Sequence, residues 1–294
     1  MLFRSFSSVA AVALGLLCTI VLTGALVRLT GSGLGCSDWP NCNSQRFVDV
    51  SSGHAAIEQV NRLFTGCVSV AVIAAVLTAY FRNPRRRDLV LLAWGLVAGV
   101  VAQIVIGAIV VVTGLNPWAN MTHFLVSMAL VTCAFMLERS SRIPSVSRVL
   151  REVPHNVRTI HRLVVGWAFV AIVTGTVVTA TGPHAGAPDV VRFGFRLVSV
   201  ARVHSVSVLV TVFFLVLAMI RLRNVPGTCA ASTRQALATM AFVAVFQGSI
   251  GYLQYFTGVP VVLVGVHVTG ATALWLSVCN LMFAPRPDEV VPLT

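Results

Sequence analysis

Charge is what this sequence most conspicuously lacks. Only 10% of its 294 residues are charged while 57% are hydrophobic, and a mean hydropathy of +0.89 excludes a soluble globular domain. Lysine is missing altogether, so all 21 cations are arginine. Missing too is the two-residue alternation of a transmembrane β-strand, which excludes a barrel. Instead, apolar windows recur at the length of about 20 residues that carries a helix across a bilayer core of roughly 30 Å. The expected class is an all-α membrane protein in contact with lipid.

Eight spans are expected, at about 8–28, 58–80, 89–112, 118–138, 160–180, 200–220, 237–257 and 260–283. No small-residue cleavage site followed by a soluble domain marks the first as a signal peptide, so it is read as retained. The arginines set the orientation. Arg82, Arg85, Arg86 and Arg87, then Arg139, Arg142, Arg148, Arg151 and Arg158, then Arg221, Arg223 and Arg234 fall in alternate loops. By the positive-inside rule those loops and both termini are cytoplasmic. The +12 charge is therefore topology, and no nucleic-acid partner is expected. The absence of an Arg- and Ser-rich presequence points to a bacterial cell membrane.

Cys36 and Cys42, in the stretch GSGLGCSDWPNC, are the cysteines of an outer loop, where disulfides persist, and a bridge between them is expected. Its short ring places the stabilisation near the low end of roughly 2–4 kcal/mol, so its purpose is the shape of the loop. No second Cys/His pair has the spacing for zinc, and CxxCH for covalent haem is absent. Cys18, Cys67, Cys133 and Cys279 fall inside spans as small apolar filler.

The chain repeats itself. Gln103, Gly107, Thr113, Gly114 and His123 recur 144 residues later as Gln247, Gly251, Thr257, Gly258 and His267, with every spacing kept. Thr23-Gly24 and Thr30-Gly31 recur as Thr174-Gly175 and Thr181-Gly182 at an offset of 151. Two copies of a four-helix unit are expected, facing the same way because four is even. Residues 1–138 form one bundle, 139–158 a basic cytoplasmic linker, and 159–294 the other.

The repeat defines four equivalent positions: 61, 123, 204 and 267. Three hold histidine and one holds asparagine. A lone imidazole in a span is commonly a hydrogen-bonded packing residue, but two on facing helices of a bundle are a way to hold a haem edge-on. His204 and His267 are the expected axial pair, with Gly248, Gly251 and Gly270 leaving room for a flat ring. In the other bundle, Glu58 and Arg62 form an i,i+4 pair, which is either an interfacial salt bridge or a carboxylate held near a haem on His123. Arg28, Arg62 and Arg202 lie near outer span ends, where they either receive propionates or snorkel. His155, His161 and His184 have no repeat partner and are expected to be solvated or interfacial.

The stretch TGALVRLTGSGLGCSDWPNCN (23–43), the ExxNR segment (58–62) and the Q-x3-G-x5-TG-x8-H module in both halves resemble the haem A synthase family. The resemblance covers essentially the whole chain. It implies a membrane oxidase that converts a methyl of haem O to a formyl, giving haem A for terminal oxidases, by successive hydroxylations. It also implies a haem B cofactor on His204 and His267, the substrate haem on His123, and Glu58 as the catalytic carboxylate. The implied loop disulfide is Cys36–Cys42, and the implied partners are a haem O synthase and an electron donor. Asn61 departs from the family, which often has histidine there. Either the substrate iron is five-coordinate on His123, the preferred reading, or another residue such as His54 supplies a sixth ligand.

Two other classes compete. A two-haem cytochrome moving electrons from a quinol to an outer acceptor would also use four ligand positions, but would leave Glu58 idle and Asn61 unmatched. A transporter is disfavoured by parallel repeats without Gly/Pro interruptions.

Overall fold

The computed structural model describes residues 2–142 and 155–283, and contains eight helices among them: α1 (Leu2–Leu29), α2 (Gly53–Phe81), α3 (Arg87–Val112), α4 (Pro117–Arg142), α5 (His155–Thr181), α6 (Leu197–Leu222), α7 (Thr228–Phe256) and α8 (Val261–Met282). All eight are long and apolar enough to cross a membrane. The centre of the expected linker, with Arg148 and Arg151, lies outside the described residues.

Each expected span coincides with a helix, and the main difference is at α7, which begins nine residues early. Its polar first turns escape a hydropathy reading because a tertiary bond holds them. Arg234 Nη1 donates to the carbonyls of Leu222 and Val225, at the C-terminal end of α6 and in its following turn. Helix α2 likewise starts before its apolar run, since Ser52 caps it by accepting from the Ala55 N–H.

Helices α1–α4 pack against one another in sequence, and α1 closes onto α4. Helices α5–α8 do the same, with α5 against α8. The two sets meet where α1 and α4 face α8, and α4 faces α5. Large buried side chains, among them Phe6, Leu89, Leu96, Met128, Leu137, Leu215, Leu237 and Met240, fill the interior. Lipid is as apolar as leucine, so lateral packing and interhelical hydrogen bonds carry the association. The seam has such a bond: Trp275 Nε1 on α8 donates to the Met128 carbonyl (3.1 Å) and to Thr132 Oγ1 (2.9 Å), both on α4.

The α3–α4 and α7–α8 turns are the same turn, bond for bond. Leu115 N–H returns to Val110 O and Val259 N–H to Gln254 O, after Gly114 and Gly258 in the left-handed region. Leu115 and Val259 are themselves left-handed, at φ 62° and 61°. Leu115 is buried, and its tip lies against Gly33 and Gly186, so the outer loops of both halves meet on it.

Trp275→Phe keeps the ring and removes the donor. We expect a loss of about 1 kcal/mol, read as a lower Tm in detergent; an unchanged Tm would show that the seam does not rest on this bond.

Candidate functional site

A cavity of about 1280 Å³, open in part at the surface, runs through both halves, well above the roughly 300–1,000 Å³ of an ordinary ligand pocket. His123, His204 and His267 line it, together with Asn61, Glu58 and the arginines Arg28, Arg62 and Arg202.

The α6 and α8 histidines face each other. The rings of His204 and His267 have centroids 6.5 Å apart at an interplanar angle of 83°. An imidazole nitrogen sits about 2 Å from a bound metal, so two rings on opposite sides of one ion have centroids on the order of 6 Å apart. The pair therefore fits axial ligation of one haem iron. Each histidine is anchored, one through its ring and two through their backbone carbonyls. Thr174 Oγ1 lies 3.2 Å from His204 Nδ1, 3.0 Å from Ser207 Oγ and within reach of the Val170 and Ala171 carbonyls, so it steadies the ring from the Nδ1 side. Gln247 Nε2 donates to the His267 carbonyl at 2.7 Å, and Gln103 Nε2 to the His123 carbonyl at 3.0 Å. Nδ1 of His123 and of His267 is buried without a protein partner. Among the described residues, no cluster of three or more His, Cys, Asp or Glu gathers as it would around a bare metal ion.

The glycines divide by function. Gly251 lies under the His267 ring and Gly270 abuts the Gln247 side chain, so of the three expected to leave room only Gly248 faces open space.

Glu58 is 5% exposed and is the hub of the outer loop. Its Oε2 accepts the Cys36 N–H at 2.7 Å, and its Oε1 accepts Arg62 Nε (3.0 Å) and Nη2 (2.6 Å). Arg62 Nη1 and Nη2 continue to the Asp38 carbonyl (3.1 Å each), and Nη1 to that of Asn41 (3.2 Å). Arg62 is thus committed to Glu58 and the loop. Arg28 Nη1 donates to the His184 carbonyl at 2.8 Å, while Arg202 is exposed and has no hydrogen-bond partner among the described residues.

The sulfurs of Cys36 and Cys42 stand at disulfide distance, 2.03 Å, and both residues are buried. Further along the same loop, the Ser51 N–H on Asp49 holds that carboxyl below its usual range. His54 does not line the cavity: its Nδ1 bonds Ser32 Oγ at 2.9 Å. His184, expected to be solvated or interfacial, is tied by Nε2 to the Val259 carbonyl (2.8 Å), joining two outer loops, and lines the cavity. Its role was invisible in the sequence, because no spacing links 184 to 259.

These features define an eight-span helical membrane protein with histidines from both halves lining one cavity. The chain belongs to the COX15-CtaA family, described as cytochrome oxidase assembly protein: the family model matches residues 7–56 and 45–279. The chain is similar to proteins named heme A synthase. It is 38% identical to that of Listeria welshimeri over 112 residues, 37% of this chain and 36% of the relative. It is 32% identical to that of Lysinibacillus sphaericus over 119 residues (40% and 39%) and 34% identical to that of Geobacillus kaustophilus over 121 (40% and 37%). The alignments thus span less than two fifths of the length of these relatives.

Gly35 is where the loop meets α2 most closely. A Cβ there would run into the backbone of His54 and Ala55, which cannot yield as a side chain would. Gly35→Ala should cost about 1–3 kcal/mol and speed amide exchange over residues 32–42, read by mass spectrometry; unaltered exchange would show that the loop is not seated on α2.

Proposed function

We propose that this protein oxidises a methyl group of haem O to a formyl group, by successive hydroxylations, to give haem A for a terminal cytochrome oxidase. The observation that carries this is the asymmetry of the two halves: a facing histidine pair in one, and in the other a single histidine sharing its cavity with a buried carboxylate. The family and the relatives named heme A synthase support the same reading. The electron-transfer cytochrome has no support from either, and it would leave Glu58 without a task.

His204 and His267 hold haem B in the C-terminal half, residues 159–294, where that group supplies one-electron chemistry. Thr174, beside Nδ1 of His204, steadies that ring. In the N-terminal half, residues 1–138, His123 binds the iron of the substrate haem. Glu58 places a carboxylate at the wall of that cavity, where it offsets positive charge developing at the reacting methyl or takes up its proton. The Cys36–Cys42 disulfide, with the Glu58–Arg62 pair, holds the outer loop as a lid, so the methyl is presented in a fixed pose away from water. Arg202, the free guanidinium of the three at the cavity wall, is the best placed to receive a propionate. The protein lies in a cell membrane with both termini cytoplasmic, takes haem O from its synthase and draws electrons from a separate donor.

The test is co-expression with a haem O synthase, followed by extraction of the pigments and their identification by mass. Haem A or its alcohol precursor should appear only with this protein; haem O left unconverted in air with an electron supply would sink the proposal. Glu58→Gln should retain bound haem and lower haem A formation by about 10²-fold or more, and full activity in that variant would remove Glu58 from the chemistry. His267→Ala should abolish the low-spin haem spectrum; an unchanged spectrum would exclude it as a ligand.

A further inference from the structure

Position 61 is the one of the four equivalent positions without an imidazole, and the structure shows what this changes. At the other three, a glycine on the preceding helix lies under the histidine ring: a Cβ on Gly107, Gly175 or Gly251 would sit 3.5, 3.1 or 3.0 Å from Cε1 of His123, His204 or His267. Gly24 on α1 is the counterpart beside Asn61. A Cβ there meets nothing within 4 Å, and Gly24 lines the cavity. The volume that an imidazole takes at the other three positions is open here.

The threonine that serves the ring is nevertheless kept. Thr174 Oγ1 meets His204 Nδ1, and its counterpart Thr23 Oγ1 donates to Asn61 Oδ1 at 2.8 Å, the shorter of its two bonds. Because Thr23 holds the carbonyl branch of the amide, Nδ2 occupies the opposite branch, and it has no hydrogen-bond partner among the described residues. Asn61 shares the cavity wall with Gln103, Gly107 and His123. Amide oxygen is a poor ligand for haem iron, whereas an amide N–H is a good donor to a small ligand on it; polarity, donors and steric access on that side of a haem decide what binds there.

The geometry points to a binding site for one small neutral ligand, diatomic in size, in the N-terminal half: a haem held by His123 keeps its opposite face open above Gly24, and Asn61 Nδ2 donates to the ligand there, with Thr23 as the positioning residue. This rests on the haem reading of that half given above.

Carbon monoxide is the probe. The dithionite-reduced protein, purified with haem in both halves, should bind one equivalent of carbon monoxide per two haems, and His123→Ala should abolish that binding. Asn61→His should abolish it too and convert the remaining high-spin haem to low-spin, since Gly24 clears the space for a ring. Asn61→Leu should still bind, but release carbon monoxide about fivefold faster, with the infrared C–O stretch shifted upward; Thr23→Val should move both readouts the same way by less. The low-spin signal of the His204–His267 haem, retained in every variant, serves as the control for folding. Wild-type protein with haem on His123 that binds no carbon monoxide would overturn the inference, as would a Leu variant with an unmoved stretch and release rate. Pigments extracted from the same samples separate the two readings: ligand binding without haem O conversion leaves this site standing and removes the activity, while haem A formation without ligand binding does the reverse.

Discussion

Inside a hydrocarbon layer no water is available to satisfy a polar group, and every donor and acceptor in a span must therefore find its partner within the protein. That constraint shapes this molecule at each level. It makes the spans helical, and it sends the hydroxyls of residues such as Thr132, Thr211 and Thr269 back to the carbonyl one turn earlier. It also turns the histidines, the glutamine amides and Glu58 toward the common cavity. Nδ1 of His123 and of His267 meets no protein partner, so part of the unmet polar demand falls at the site.

The two halves meet that demand differently. In the C-terminal half, two imidazoles face each other, with Thr174 beside the ring of His204 and Gln247 bonded to the backbone carbonyl of His267. In the N-terminal half the brace Thr23 and the seat Gly24 remain, but an amide replaces one ring, while the buried carboxylate of Glu58 is bound into the outer loop through Cys36 and Arg62. The two halves thus differ at the site by a few side chains. The packing around them is held in common, down to the left-handed turns at Leu115 and Val259.

Much of this was legible in the sequence for a physical reason. Crossing a bilayer demands a length and a composition that few other constraints imitate, so the eight spans could be located without a structure. Polar residues in spans are expensive, so their recurrence at fixed offsets singled out positions 61, 123, 204 and 267. What escaped were bonds between distant segments. The early start of α7 depends on Arg234 reaching the end of α6. The place of His184 depends on a carbonyl 75 residues away. Glycine is also ambiguous in sequence: Gly251, Gly270 and Gly248 look alike there, yet one seats a ring, one abuts an amide and one faces the cavity.

The sequence by itself determined the membrane class and the number of helices, and singled out the polar positions that line the cavity, because hydropathy and repeat spacing are properties of the chain taken in order. Only the tertiary structure decided that His204 and His267 face each other, that Glu58 holds the outer loop, and that the space beside Asn61 stays open. Those facts depend on which helix faces meet and how closely their backbones approach, and these are settled by packing across segments that the order of residues leaves far apart.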